Sequence, residues 1–545
     1  MSQVLSGGHV LTLHGATPRT DLLAVDDDGR VAARPAPGAE VVNLRGACVV
    51  PGLNDAHVHF PTWSLAQHQV RLEGARSVDD AVAAVAGGLP STPPGGWLRG
   101  LGWRDADWSE RPHRRHLDDV AGYVPVALTS KDYHSLWLNG AALARCPDLN
   151  ALGDVVERDD RGEPTGVLRE RAAWAFRDLY ARPGIDEMVE AARGGLRLAN
   201  ARGVTAVHDK DGWLGSLEVF QRLLEQDELS LRVLQSIPHE RLGHLAALGL
   251  RTGQGHPLLR LGHLKVFMDG ALGSATALLL DGEERKPGQG EERSAGAGRA
   301  STGATFSRAS TAARVSGVEI TTSAELEQIV RAGADAGFPV AVHAIGDAAN
   351  RAALDAFARS RDAWAPLGLR QRIEHAQLLA PDDVARFAEL GVAASVQFSH
   401  APSDRDLADR LWEGRRGAYA YRSLLDAGAL LANGSDAPVE ELNPLAGIAA
   451  GVRRTIDRRP AWRPEQAVTV EEALLAATVG PAWLAGEDSG RGTLVPGMQA
   501  DLAVLDRDPL RCPADELPEI RVLGTMLAGR WVYVAPDAPF APPGT

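Results

Sequence analysis

The chain is short of cysteine, has no excess of positive charge, and lacks long apolar runs. Only three cysteines occur in 545 residues, Cys48, Cys146 and Cys512, far apart and without CxxC spacing. That argues against a disulfide framework or a thiolate zinc site and fits a reducing compartment, so a cytoplasmic location is expected. The formal charge of −14 argues against nucleic acid or an anionic membrane surface as a partner. No stretch approaches the roughly 18 apolar residues of a membrane span, so none is expected. The opening "MSQVLSGGHVLTLHG" has no basic segment ahead of an apolar core, so no secretion signal is expected either.

Apolar residues make up 44% and charged residues 23%, the balance of a globular chain able to bury a large core. Residues 1–50 read as short strands between turns. Among them "DDDGR" is a hairpin signal, because Asp-Gly tolerates the positive φ of a tight turn. The stretches "GTLVPGMQADLAVLDRDP" and "EIRVLGTMLAGRWVYV" have the same texture. Residues 1–50 and 488–545 are therefore expected to form one small β-sandwich domain from both chain ends.

Residues 51–487 alternate short apolar runs with helical patterns. The runs are "ACVVPGLNDAHVH", "GVTAVHD", "LRVLQSIP", "LGHLKVFMDG", "PVAVHAIGD", "RIEHAQ", "VAASVQFSH" and "ALLANGSDAP". Segments such as "TTSAELEQIVRAGADAG" and "PDDVARFAELG" place apolar residues at three- and four-residue steps and end in Gly. Eight strands with intervening helices predict an α/β fold, a (β/α)8 TIM barrel with its chemistry at the C-terminal ends of the strands. Residues 61–200 are too many for a βα loop and read as an inserted subdomain. Residues 281–317, rich in Gly, Ser, Ala and charge, read as a flexible insertion or a lid.

In "PGLNDAHVHF", His57 and His59 stand two residues apart at a strand end. Side chains at i and i+2 share one side, so both imidazoles can reach one divalent ion. Asp55 shares that face and is placed to orient one of the rings. His343, His375 and Asp436 recur at the ends of the fifth, sixth and eighth strands. Each alone reads equally well as a hydrogen-bonded histidine or a turn-capping aspartate. Together on one rim they point to a metal site. Histidine and carboxylate donors without thiolate suit zinc, and iron or manganese fits the same set. His208 and His400 also reach the rim, where ordinary hydrogen bonding is expected of them. Glu374 directly precedes His375 and is expected to face the other side of its strand.

The order HxH, Lys, His, His, Asp resembles the amidohydrolase superfamily. The wording "PGLNDAHVH", "KVFMDGALGS", "VHAIGD", "RIEHAQ" and "NGSDAPV" resembles its YtcJ-like branch, which includes N-substituted formamide deformylases. The resemblance takes in "DYHSLWLNGAAL" of the insertion and is poor only over 281–317. It implies a metal-dependent hydrolase that cleaves a non-peptide carbon–nitrogen bond of a small molecule. It implies that His57 and His59 bind the more buried ion, with Asp436 reaching toward it. His343 and His375 would hold a second ion, and Lys265 would link the two if carboxylated; without the carbamate one ion would suffice. Asp436 would be the general base.

Trp103, His134 and Asn139 of the insertion, with Asp269 and Ser274 after the fourth strand, are candidates for lining the substrate pocket. Trp97, Trp103 and Trp108 read at least as well as the insertion's own core. A deaminase of the same superfamily and a non-catalytic metal-binding protein are the competing readings. Lys265, and a Glu374 turned away from the mouth, count against the first; the complete ligand set counts against the second. A homodimer is compatible with a chain of this size.

Overall fold

A computed structural model describes residues 2–16, 18–92, 95–105, 108–131, 133–152, 156–280 and 315–541. At its centre stand eight parallel strands. They are β1 (Leu53–Val58), β2 (Val204–Asp209), β3 (Arg232–Pro238), β4 (Leu259–Phe267), β5 (Val340–Ala344), β6 (Arg372–His375), β7 (Ala393–Val396) and β8 (Leu431–Asn433). They pair in chain order. The seam between β8 and β1 is bridged by Val58 with Ala437, and the Asp436 amide donates to the His57 carbonyl at 2.7 Å. Each strand read from the sequence is present. Every residue of β1, β2 and β5 to β8 is buried, which is why their sequences run as short apolar blocks rather than alternating.

The helices between strands stop and start where the sequence says they should. Ser323–Ala336 opens on a capping box in which Thr322 and Glu325 each accept the other's backbone N–H. It ends at Gly337, whose φ of +77° is the left-handed conformation that glycine adopts without strain. Among the described residues no helix is long and apolar enough to cross a membrane.

Strands from both chain ends join in one eight-stranded sheet, with Cys48–Pro51 paired antiparallel to Leu502–Leu505. The "DDDGR" turn closes a hairpin between Arg19–Val25 and Val31–Ala32. The insertion carries a separate six-stranded sheet running from Val70–Arg71 to Pro164–Arg169. Its sheet is narrower than the span 61–200, because helices Phe60–Ala66 and Ile185–Ala201 pack with β1 and β2 in the barrel's own core. Of the stretch 281–317, residues 281–314 lie outside the described residues. The flanking pairs Leu279–Leu280 and Val315–Ser316 run antiparallel.

Candidate metal centre

The sequence-predicted ligands meet at the C-terminal mouth of the barrel. The ring centroids of His57 and His59 are 5.8 Å apart, those of His57 and His375 4.8 Å, and those of His375 and His343 4.6 Å. Asp436 sits on the seam with a left-handed φ of +58° that turns its carboxylate into this group. Its Oδ1 lies 3.3 Å from His57 Nε2 and 3.6 Å from His59 Nε2, and its Oδ2 lies 3.8 Å from His400 Nε2. His57, His375 and Asp436 each offer a ligand atom, all within 4.8 Å of one another. Lys265 Nζ is buried among them, 4.8 Å above the Phe267 ring, with no hydrogen-bond partner.

Each ring is held by one nitrogen, and His57 and His59 turn the other toward Asp436. His57 Nδ1 lies 2.9 Å from Glu374, and His59 Nδ1 lies 2.7 Å from Asp211. His375 Nδ1 meets Gln397 Oε1 at 2.9 Å, and His343 Nε2 meets the Gly270 carbonyl at 2.9 Å. Carboxylates and carbonyls that fix a metal-binding imidazole by its far nitrogen set its tautomer and orientation. Burial pushes His57 and His343 down to about 3, so these rings are neutral and present lone pairs at neutral pH. Burial lowers His375 as well. Burial also works against charge on His59, but the Asp211 carboxylate more than offsets it and raises the group. Lys265 is lowered by its burial. An unpartnered buried amine beside inward-facing imidazoles and a carboxylate fits a divalent cation site, and these residues are the ones that would hold it.

Two readings from sequence need correction. Glu374 does not face away from the mouth. His375 has a φ of +73° and Ala376 one of +45°, so the strand's alternation breaks there. Glu374 and His375 therefore both serve the interior. Glu374 is fully buried against His57, with Lys210 Nζ at 3.0 Å and Arg372 Nε at 2.9 Å. Burial pushes its carboxyl up, but Arg372 and His57 hold it well below the usual range. Asp55 orients backbone rather than an imidazole, accepting the N–H groups of His57 and Ser435 at 3.0 Å.

Trp103 lies in the insertion's apolar core and donates Nε1–H to the Leu128 carbonyl. Asn139 is spent on backbone: it accepts the N–H of Val126 and of Ala142, where it caps a helix. Asp269 is buried and accepts the N–H groups of Leu278, Ile345 and Gly346, and so fixes the loops after β4 and β5. Burial raises it to about 7. Ser274 bonds within its own loop, 2.6 Å from Thr276 Oγ1.

Of the five pocket candidates, Asp269 lies 3.8 Å from His343 Nε2, and the charge of His134 also bears on that ring. The His134 ring meets Trp174 at 5.2 Å. His208 hydrogen-bonds Arg372 below the site, in the ordinary role expected of it. Sequence reasoning missed Lys210, Asp211, Gln397 and the rim aromatic Trp213, which packs on Phe267 at 5.6 Å. The run "HDKDGW" across the end of β2 carried three of these as polar and aromatic residues at a strand end.

The chain matches the family described as "Amidohydrolase family" over residues 40–533. It is 30% identical to Protein LONG AFTER FAR-RED 3 of Arabidopsis thaliana, over 91% of this chain and 84% of that protein. It is 28% identical to N-substituted formamide deformylase of Arthrobacter pascens, over 94% and 92% of the two chains. An uncharacterized metal-dependent hydrolase from Pyrococcus horikoshii superposes with a TM-score of 0.75 at 25% identity, over 94% of this chain and 99% of that one. Fold, converging histidines and matched residues lead to one conclusion: this chain belongs to the amidohydrolase family, whose members are metal-dependent hydrolases and deaminases on a TIM barrel.

Proposed function

We propose that this chain hydrolyses a non-peptide carbon–nitrogen bond of a small molecule, of the formamide or N-acyl amine type, and that zinc is the ion it uses. The observation that carries the reading is the Asp436 carboxylate, set among imidazoles whose outer nitrogens are already engaged. Likeness to a formamide deformylase supports the bond type. His57, His59, His343 and His375 would hold the ion or ions with Asp436, and Lys265 would join them as a carbamate. When bound, the ion supplies Lewis acidity, which makes water a stronger acid and polarises a carbonyl.

Asp436 does the proton work. An oxygen of its carboxylate takes a proton from water as the water oxygen bonds to the carbonyl carbon. The same group returns that proton to the nitrogen as the C–N bond breaks, leaving a carboxylic acid and an amine. Burial raises Asp436 above its usual carboxylate range, which brings its basicity closer to neutral pH. His134, Trp174, Trp213 and Phe267 border the mouth and suit an apolar substituent on the nitrogen.

The deaminase reading needs an acid turned to the substrate. Glu374 faces inward but is engaged by His57, Lys210 and Arg372 beneath the site. The test is a panel of N-substituted formamides, N-acyl amines and amino-substituted heterocycles offered to zinc-replete protein. Paired release of acid and amine from the first two classes is the expected result. Ammonia released only from the heterocycles would overturn the reading.

A further inference from the structure

His400 is the first residue of the helix His400–Leu411, which follows β7. It is 4% exposed, its ring is stacked over His375 at 6.3 Å, and Nε2 has no hydrogen-bond partner. It differs from the other rim histidines in what holds its outer nitrogen. His57 and His59 face carboxylates, and His343 and His375 face carbonyl oxygens, so each of those four rings donates N–H to that partner and keeps its lone pair on the other nitrogen. His400 Nδ1 instead meets the amide nitrogen of Gln377 at 3.1 Å. An amide nitrogen donates, so Nδ1 accepts and the ring's hydrogen is on Nε2. This histidine presents a proton to the mouth where His57 and His59 present lone pairs.

We propose that His400 is not a metal ligand but the site's hydrogen-bond donor, its Nε2–H stabilising the oxygen of the scissile carbonyl as charge develops there. Two observations fit this part. Nε2 lies 3.8 Å from Asp436 Oδ2, too far for a hydrogen bond and on the side of the carboxylate away from His57 and His59. Asp436 thus faces His57 and His59 at Oδ1, while Oδ2 lies between His400 and His375, whose Nδ1 is 3.9 Å away. In the step, the water oxygen bonds to the carbonyl carbon and the carbonyl electron pair moves onto oxygen. The Nε2–H is shared with that oxygen without transfer, and the pair returns as the C–N bond breaks with Asp436's proton on nitrogen. The role rests on the amide-hydrolase reading above.

The experiment compares His400→Ala and Gln377→Glu with wild type by metal content, kcat and KM on an amide the wild type cleaves. It adds 15N-histidine NMR, with His400 assigned by its absence from the Ala variant. Loss of one donor to a developing oxyanion costs roughly 10²–10³-fold in kcat, so His400→Ala should fall by that factor with metal content retained and KM little changed. Gln377→Glu accepts at Nδ1, draws the hydrogen away from Nε2, and should lower kcat in the same direction. The wild-type ring should show the Nε2–H tautomer. Metal lost from His400→Ala would make it a ligand and overturn the proposal. So would a kcat within a few-fold of wild type, or an Nδ1–H tautomer in the wild type. A wild type that binds metal but cleaves no amide would overturn the hydrolase reading instead, and the tautomer would still decide whether His400 is a donor.

Discussion

The insertion and the barrel mouth both gather imidazole and indole rings, and the two collections are built on opposite plans. In the insertion, Trp103, Trp108 and Trp137 stand 6.2–6.3 Å apart, with the His116 ring 6.3 Å from Trp137. Two of its histidines serve a helix end: His113 Nδ1 accepts the Arg115 N–H, and His116 Nε2 lies 3.0 Å from Glu110. At the mouth, each ring has one nitrogen engaged, and His57 and His59 turn the other toward Asp436. Residue type does not separate structure from chemistry here. An unpartnered buried atom does not by itself mark chemistry, since Trp137 Nε1 in the insertion has no partner either. The separation lies in convergence, for at the mouth ligand atoms of His57, His375 and Asp436 lie within 4.8 Å of one another, where one ion can complete them all.

That contrast can be broken in several places. The largest effect is expected at Asp436. Asp436→Asn keeps the shape and removes the base, and should lower kcat by roughly 10²–10⁴-fold in a folded protein; steady-state kinetics beside a circular dichroism spectrum would check it. Trp103→Ala should act on the fold alone, with about 3–5 kcal/mol lost in denaturant unfolding and KM unchanged well below the transition. A raised KM at full stability would return Trp103 to the pocket. Glu374→Gln should weaken metal affinity by roughly 10–100-fold, read by competition with a chromogenic chelator, because His57 loses the carboxylate that fixes its ring. Asn139→Ala should cost about 1 kcal/mol as a lost helix cap and leave KM alone.

Much of this architecture was readable before any coordinates. The eight strands announce themselves as apolar blocks because both faces are covered, and the HxH pair follows from the two-residue repeat of β1. The rule that found His57 and His59 failed at Glu374, where a left-handed residue at 375 suspends the alternation. The partners of the rings were hidden for another reason. Asp211 is 152 residues from His59 and Glu374 is 317 from His57, so only the closed barrel brings them together. Trp103 lies in the insertion's core, the reading its sequence favoured, whereas Asn139 stayed ambiguous because an amide side chain suits a pocket and a helix cap equally well until its partners are known.

The central claim is that the rim histidines hold a catalytic ion. Its most direct test is elemental analysis of metal per chain after metal-replete purification, on wild type beside His57→Ala and Lys265→Ala. One or two ions in wild type, falling in His57→Ala, is the predicted result, and a fall in Lys265→Ala as well marks a carbamate-linked pair. Wild type without bound metal, or His57→Ala with its metal intact, would contradict the account.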